Sequence, residues 1–263
     1  SMAAGDGFPD GYANGQNVAN GVTGIWLSSG YSISSAGGDV FMAASDATVN
    51  PNNGTSAMLI AVSGTIDSGT GRIGVWGKAS PMSSGIWNYG LMLHGVNGDN
   101  VGDRSVWHSA NRTAQAITIY GDSSANTSQY AYGVTAVNYA TLSSQWGYNS
   151  FHLLASGLKD SGNPASTPGG GISVTGIGST HSNSSGFGIW WSWADAFAKD
   201  GPITFTGTSS DTAGSYTSAG IYFGVNNPSS SVRIGAMTTN NSTTAKTFSG
   251  TDFTTSNSDI TLT

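Results

Sequence analysis

The chain says the same thing again and again, and a chain that repeats at this period has few folds open to it. One set of segments reads "VFMAAS" from Val40, "IGVWGKAS" from Ile73, "ITIYGDSS" from Ile117, "ISVTGIGS" from Ile172 and "ITFTGTSS" from Ile203, then "VRIGAMTT" from Val232 and "ITLT" from Ile260. A second set interleaves with it: "GIWLSSG" from Gly24, "AMLIAVSG" from Ala57, "GLMLHG" from Gly90, "GVTAVN" from Gly133, "GIWWSW" from Gly188 and "GIYFGVN" from Gly220. Each segment alternates over four or five residues, the period of a strand with one face buried. Between them lie turns of Gly, Ser and Asn. A single unit of about 30 residues cannot bury its apolar face alone, but stacked units share one core. The reading is an all-β chain, a right-handed parallel β-helix (β-solenoid) of about seven coils, in which each coil templates the next.

Composition agrees. Of 263 residues, 39 are Gly, and the 14 acidic residues are all Asp. Glu, Lys, Arg and Leu, which favour helices, are scarce, while Thr, Val, Ile and the aromatics favour strands. With no Cys, the fold needs no disulfides. A net charge of −6 without clusters offers no basic face to nucleic acid and no polybasic patch to a membrane. No apolar run approaches the roughly 18 residues of a membrane span. Ser1-Met2 reads as an expression scar. The end at "ITLT", one strand into a new coil, predicts a piece of a longer array.

The alternation predicts the inward residues of the second set: Ile25/Leu27, Met58/Ile60, Leu91/Leu93, Val134/Ala136, Ile189/Trp191 and Ile221/Phe223. The outward column is then Trp26, Leu59, Met92, Thr135, Trp190 and Tyr222, unusually apolar for a solvent face.

The punctuation of "GIWLSSGYSISSAGGDVFMAAS" (Gly24–Ser45), with matching runs at Gly220–Phe223 and Ile203–Gly207, resembles the coils of filamentous-haemagglutinin-type exoproteins. These are large adhesins of Gram-negative bacteria, exported by two-partner secretion. The resemblance implies a secreted or cell-surface protein that works by adhesion. Its partner would be a host or matrix glycan or a cell-surface receptor. No cofactor is implied. "NPNNG" at Asn50–Gly54 has the look of the family's Asn-Pro-Asn motifs, and is also what a wide turn would use.

Specificity on a rigid scaffold usually sits in insertions. Three stretches swell the repeat: 96–113, 138–170 and 192–201. The third, "SWADAFAKDG", predicts a short helix capped by Ser192 and closed by Gly201. A lid over the outward column is one role for the three. A glycan site is the sharper one, because flat rings receive the CH faces of sugars while carboxylate and guanidinium forks bind hydroxyls. Its candidate residues are Trp107, Trp146, Tyr148, Trp190 and Tyr222 for rings, with Asp99, Asp103, Arg104 and Arg112 for forks. The first two insertions are expected to fold over one side and frame that site with Trp190 and Tyr222. Trp76 and Trp191 read as packed residues.

Other chemistries find less. Glycosidic hydrolysis needs two carboxylates facing each other, and Asp99/Asp103 is a close pair only within a polar loop, so no catalytic residue is assigned. "NGDNVGD" (Asn97–Asp103) lacks the Glu and spacing of a calcium loop, and the four His are scattered, so no metal site is assigned. A Thr ladder of the ice-binding kind begins with "TFT" (Thr204–Thr206) and "TLT" (Thr261–Thr263), but Gly74/Trp76, Thr118/Tyr120 and Arg233/Gly235 at the same positions are expected to break it. Alternative readings are a passive stalk spacer and a phage-tailspike-like β-helix that binds or cleaves polysaccharide. A monomer is favoured.

Overall fold

Among the described residues every strand pairing is parallel, and the strands fall into three sheets visited in rotation. The structure, a computed structural model, describes residues 13–14, 24–28, 30–45, 56–62, 64–79, 81, 88–94, 105–126, 130–137, 151–155, 170–179, 186–192, 194–198, 201–209, 219–223, 231–236, 250–254 and 260–263. In chain order, β1 (Ala13–Asn14), β2 (Ile25–Leu27) and β3 (Tyr31–Ser34) start the first, second and third sheets. β4 (Val40–Ser45), β5 (Ser56–Val62) and β6 (Gly64–Asp67) lie on them, then β7 (Ile73–Lys78), β8 (Asn88–His94) and β9 (Ser105–Ser109). β10 (Ile117–Asp122), β11 (Ala131–Val137) and β12 (Phe151–Ala155) make the next layer, followed by β13 (Ile172–Ile177), β14 (Phe187–Trp191) and β15 (Ala194–Ala198). β16 (Ile203–Thr208), β17 (Ala219–Phe223) and β18 (Ser231–Ala236) close the regular part; β19 (Gly250–Thr254) adds to the third sheet and β20 (Ile260–Leu262) to the first. This is a parallel β-helix with three strands per coil.

The first sheet keeps the register that the repeat predicts. Val40, Ile73, Ile117, Ile172, Ile203 and Ile260 stand opposite one another from strand to strand. The second sheet does so with one slip. Leu59, not Met58, pairs with Ile25 and Leu91, and Ile60 pairs with Trp26 and Met92. The segment "SAMLIAV" is apolar at both parities, so alternation alone leaves its phase open.

Three further expectations are corrected. The stretches 96–113 and 138–170 are not wholly insertions, because Ser105–Ser109 and Phe151–Ala155 are rungs of the third sheet. The short helix expected over 192–201 is strand β15, held between β12 and β18. Ala and Asp give it no strand propensity; neighbours on both sides supply a full set of ladder partners, and tertiary context overrides local preference. Val232 belongs to β18 of the third sheet rather than to the first, so β16 lies directly beside β20.

One core runs through the coils. Ile73, Ile117, Ile172 and Ile203 form its first-sheet column, Leu91, Val134 and Ile189 its second-sheet column, and Ile66, Trp107, Leu153 and Ala196 line the third. Each fully buried aliphatic contributes on the order of 1.5–3 kcal/mol.

The glycines that punctuate the repeat mark where the first and second sheets back onto each other. A Cβ at Gly176 would lie 2.0 Å from the carbonyl oxygen of Gly188, and one at Gly207 would lie 2.1 Å from that of Gly220. Gly77 with Gly90 and Gly121 with Gly133 repeat the arrangement. No larger residue fits, so two glycines per coil are a steric requirement of the cross-section. The corner from the third sheet to the first is built otherwise. Ser68 Oγ donates to Gly71 O at 2.7 Å and Ser109 Oγ donates to the same oxygen at 2.7 Å, so hydroxyls of successive coils stitch the turn. On that corner Arg72 binds Asp39 through Nη2 at 2.6 Å, and its guanidinium carbon lies 5.3 Å from the centre of the Phe41 ring.

Candidate functional site

A second apolar cluster lies apart from the core, on the outer face of the second sheet. It starts from a departure in the strands. Tyr89 pairs with Tyr132, the ladder passes over Gly90 and Gly133, and pairing resumes at Leu91 and Val134. Strict alternation would put Tyr132 and Val134 on one side. Instead Val134 belongs to the core, while Tyr89, Tyr132 and Phe187 form a cluster of their own with Met92, Tyr130, Trp190 and Ala219 against it. Glycine lets the backbone turn at that point.

One ring per coil then stacks along the axis. Tyr89 and Tyr132 stand 5.4 Å apart, Tyr132 and Phe187 5.5 Å, and Phe187 and Tyr222 4.9 Å, with interplanar angles of 26°, 20° and 15°. Trp190 leans across the stack, edge-on to Phe187 at 5.9 Å and to Tyr222 at 6.2 Å. Offset-stacked and edge-to-face pairs of this kind each add about 0.5–1.5 kcal/mol beyond area. Exposure rises along the stack: Tyr89 is 0% exposed, Tyr132 3%, Phe187 8% and Tyr222 36%. Tyr222 has one face against Phe187 and stands on β17, the edge of the second sheet among the described residues. Beneath it, Trp190 Nε1 and Thr135 Oγ1 are buried with no hydrogen-bond partner among the described residues. They occupy neighbouring rungs, Thr135 opposite Trp190. An unpaired buried donor costs about 1–3 kcal/mol, so this part of the face carries polar capacity that the protein does not use.

The candidates from sequence divide. Trp190 and Tyr222 come together here. Trp107 does not join them: it is fully buried on the inner side of the third sheet, edge-on to Phe151 at 5.0 Å, and its Nε1 donates to the Tyr31 hydroxyl at 2.7 Å. Its ring is a core residue because β9 is a rung and not an insertion. Arg112 is exposed in the turn between β9 and β10. Asp99, Asp103, Arg104, Trp146 and Tyr148 lie outside the described residues, as does Trp87. Burial dominates the ionisation of Tyr31 and pushes its hydroxyl up to about 12, against the lowering effect of the Trp107 hydrogen bond.

Sequence reading missed Tyr132 and Phe187. The signal was present as an aromatic immediately before the second-set glycine, in "NYGLML", "AYGVTA" and "GFGIWW". Period-two alternation assigns those residues inward, which hid them. On the outer face of the third sheet, His108 and Asp67 form a pair at 3.0 Å, with Asp67 also accepting from Gly69 N at 3.0 Å. Among the described residues no group of three or more His, Cys, Asp or Glu could hold a metal ion, and no helix is long and apolar enough to cross a membrane. Comparison with protein families, with curated proteins and with solved structures found no match.

Proposed function

We propose that this chain is a β-helical segment of a secreted or cell-surface bacterial adhesin, and that it attaches without catalysis by holding a glycan against the outer face of the second sheet. The observation that supports the reading is the aromatic stack that ends at Tyr222. The lower rings are packed, and Tyr222 is open to solvent. A sugar needs an apolar face for its CH groups and a few fixed polar partners for its hydroxyls. The stack supplies the first at its exposed ring, Tyr222; Trp190 Nε1 and Thr135 Oγ1 are buried out of a sugar's reach. A solenoid grows by one strand spacing of about 4.8 Å per coil, so such a segment also carries its site away from the cell.

Binding to a broad glycan and polysaccharide panel tests this, with Tyr222→Ala and Trp190→Phe beside the parent. The expected result is binding by the parent, loss in Tyr222→Ala, and retention in Trp190→Phe, which keeps a ring and removes only a buried N–H. Silence of the parent on the whole panel would overturn the reading. It would favour a stalk spacer, in which the stack is packing alone; the full burial of Tyr89 and near-full burial of Tyr132 speak for that role in the lower coils.

A further inference from the structure

The first sheet has an outer face of a different kind. Its four strands β10, β13, β16 and β20 lie side by side in one register. Outward residues fall into two columns. One is Thr118, Ser173, Thr204 and Thr261. The other is Tyr120, Thr175 and Thr206, and Thr263 completes it. Thr263 N donates to Phe205 O at 3.0 Å and Gly207 N donates to Thr263 O at 2.9 Å, which sets Thr263 opposite Thr206. The inward neighbours Ile117, Ile119, Ile172, Val174, Ile203 and Phe205 are all buried, while the two columns are half-buried to exposed. With β18 assigned to the third sheet, Arg233 and Gly235 do not break the ladder.

Apart from Tyr120, the hydroxyls of these columns find no partner among the described residues. The side chains of Thr118, Ser173, Thr175, Thr204, Thr206, Thr261 and Thr263 make no hydrogen bond to any other described group. The corner serines, by contrast, all have partners: Ser68 and Ser109 bond to Gly71 O, and Ser179 donates to Asn126 O at 2.8 Å.

We propose that this face binds ice: an uncharged, threonine-rich grid of hydroxyls and methyls in two registered columns holds ordered water and docks it to a crystal surface. Strand spacing sets one grid dimension at about 4.8 Å, and two residues of strand rise set the other at about 6.6 Å. Thr is β-branched, which restricts its χ1 on a strand. A rigid grid of that kind orders first-shell water at little further entropic cost. No grid position is charged. The grid ends at β10 on the other side, where the Trp76 ring lies over Gly74 and meets Phe41 edge-on at 5.7 Å. The glycan site is on another sheet, so the two proposals stand or fall apart.

Partition into slowly grown polycrystalline ice, together with inhibition of ice recrystallisation, tests it. The parent is compared with Thr175→Tyr/Thr206→Tyr, with Thr261→Lys and with Tyr222→Ala, all checked by thermal melting. The expected result is that the parent concentrates in ice and arrests grain growth. The double variant should fall to the level of an inert control protein, Thr261→Lys should lose much of the effect, and Tyr222→Ala should keep it. Thr261 is exposed on an edge strand, so its variant remains informative if the double variant does not fold. Exclusion of the parent from ice would overturn the proposal, as would full activity in Thr261→Lys. Adsorption of the parent to crystalline cellulose or chitin but not to ice would overturn it too, and would assign the grid to an ordered polysaccharide.

Discussion

The outer faces of the first and second sheets are built on the same parallel ladder and end up opposite in character. On the second, one ring per coil stacks on the next at 4.9–5.5 Å, and the rings bury each other. On the first, from β10 to β20, one small hydroxyl per coil stands above the next in the Thr118 column and makes no side-chain hydrogen bond among the described residues. The difference teaches what an in-register parallel stack does: it multiplies whatever residue is repeated in a column. Repeated large rings become packing and leave one usable end. Repeated threonines never cover each other and leave a usable plane.

The largest test of that contrast is Tyr132→Ala. It removes the middle of the ring stack, and a loss of about 3–5 kcal/mol is expected, read as a lower urea midpoint. A loss below about 1 kcal/mol would mean the stack is decoration rather than packing. Next is Gly176→Ala, at the line where the two sheets meet. The new methyl would press on the Gly188 carbonyl at 2.0 Å, and backbone cannot step aside as a side chain can. About 3 kcal/mol is the expected cost; a neutral result would show that the sheets can part without penalty. Gly74→Ala is the cheaper counterpart, since its Cβ would meet the far end of the Trp76 ring, which can shift.

The third sheet supplies a pH-dependent test away from both faces. Folded Tyr31 holds its proton up to about 12, against the ordinary tyrosine value of 10.0. The unfolded chain therefore releases that proton first. Stability is fully present below pH 10 and falls as pH rises through about 12. Denaturation midpoints measured across that range should decline in the parent, and Tyr31→Phe should decline less. The smallest effect belongs to the hydroxyl plane. Thr175→Ala is expected to change stability by less than about 0.5 kcal/mol, so a large loss there would show that the plane is structural and not a free surface.

Much of the fold was legible because a solenoid writes its geometry in the sequence once per coil. The Ile-led segments fixed the first-sheet register correctly at Val40, Ile73, Ile117, Ile172, Ile203 and Ile260. The third strand of each coil escaped. "SVWHS", "FHLLA" and "ADAFA" share no motif, and their strand state comes from ladder partners above and below rather than from local preference. The candidate site was half legible. Trp190 and Tyr222 were found as an outward column. Tyr132 and Phe187 were hidden because glycine breaks the alternation on which inward and outward depend, and Trp107 was misplaced with its strand.

By itself, then, the sequence determined the repeat, the parallel stack and the inward Ile columns, all of which are local patterns recurring at fixed spacing. Tertiary structure alone decided which sheet the Val232 segment joins, whether Leu59 or Met58 pairs with Ile25 and Leu91, and which glycines face each other. Those outcomes depend on which strands become neighbours, and pairing energy is shared between segments far apart in the chain. A segment apolar at both parities, or one lacking the repeat's punctuation, carries no record of the choice its neighbours make for it.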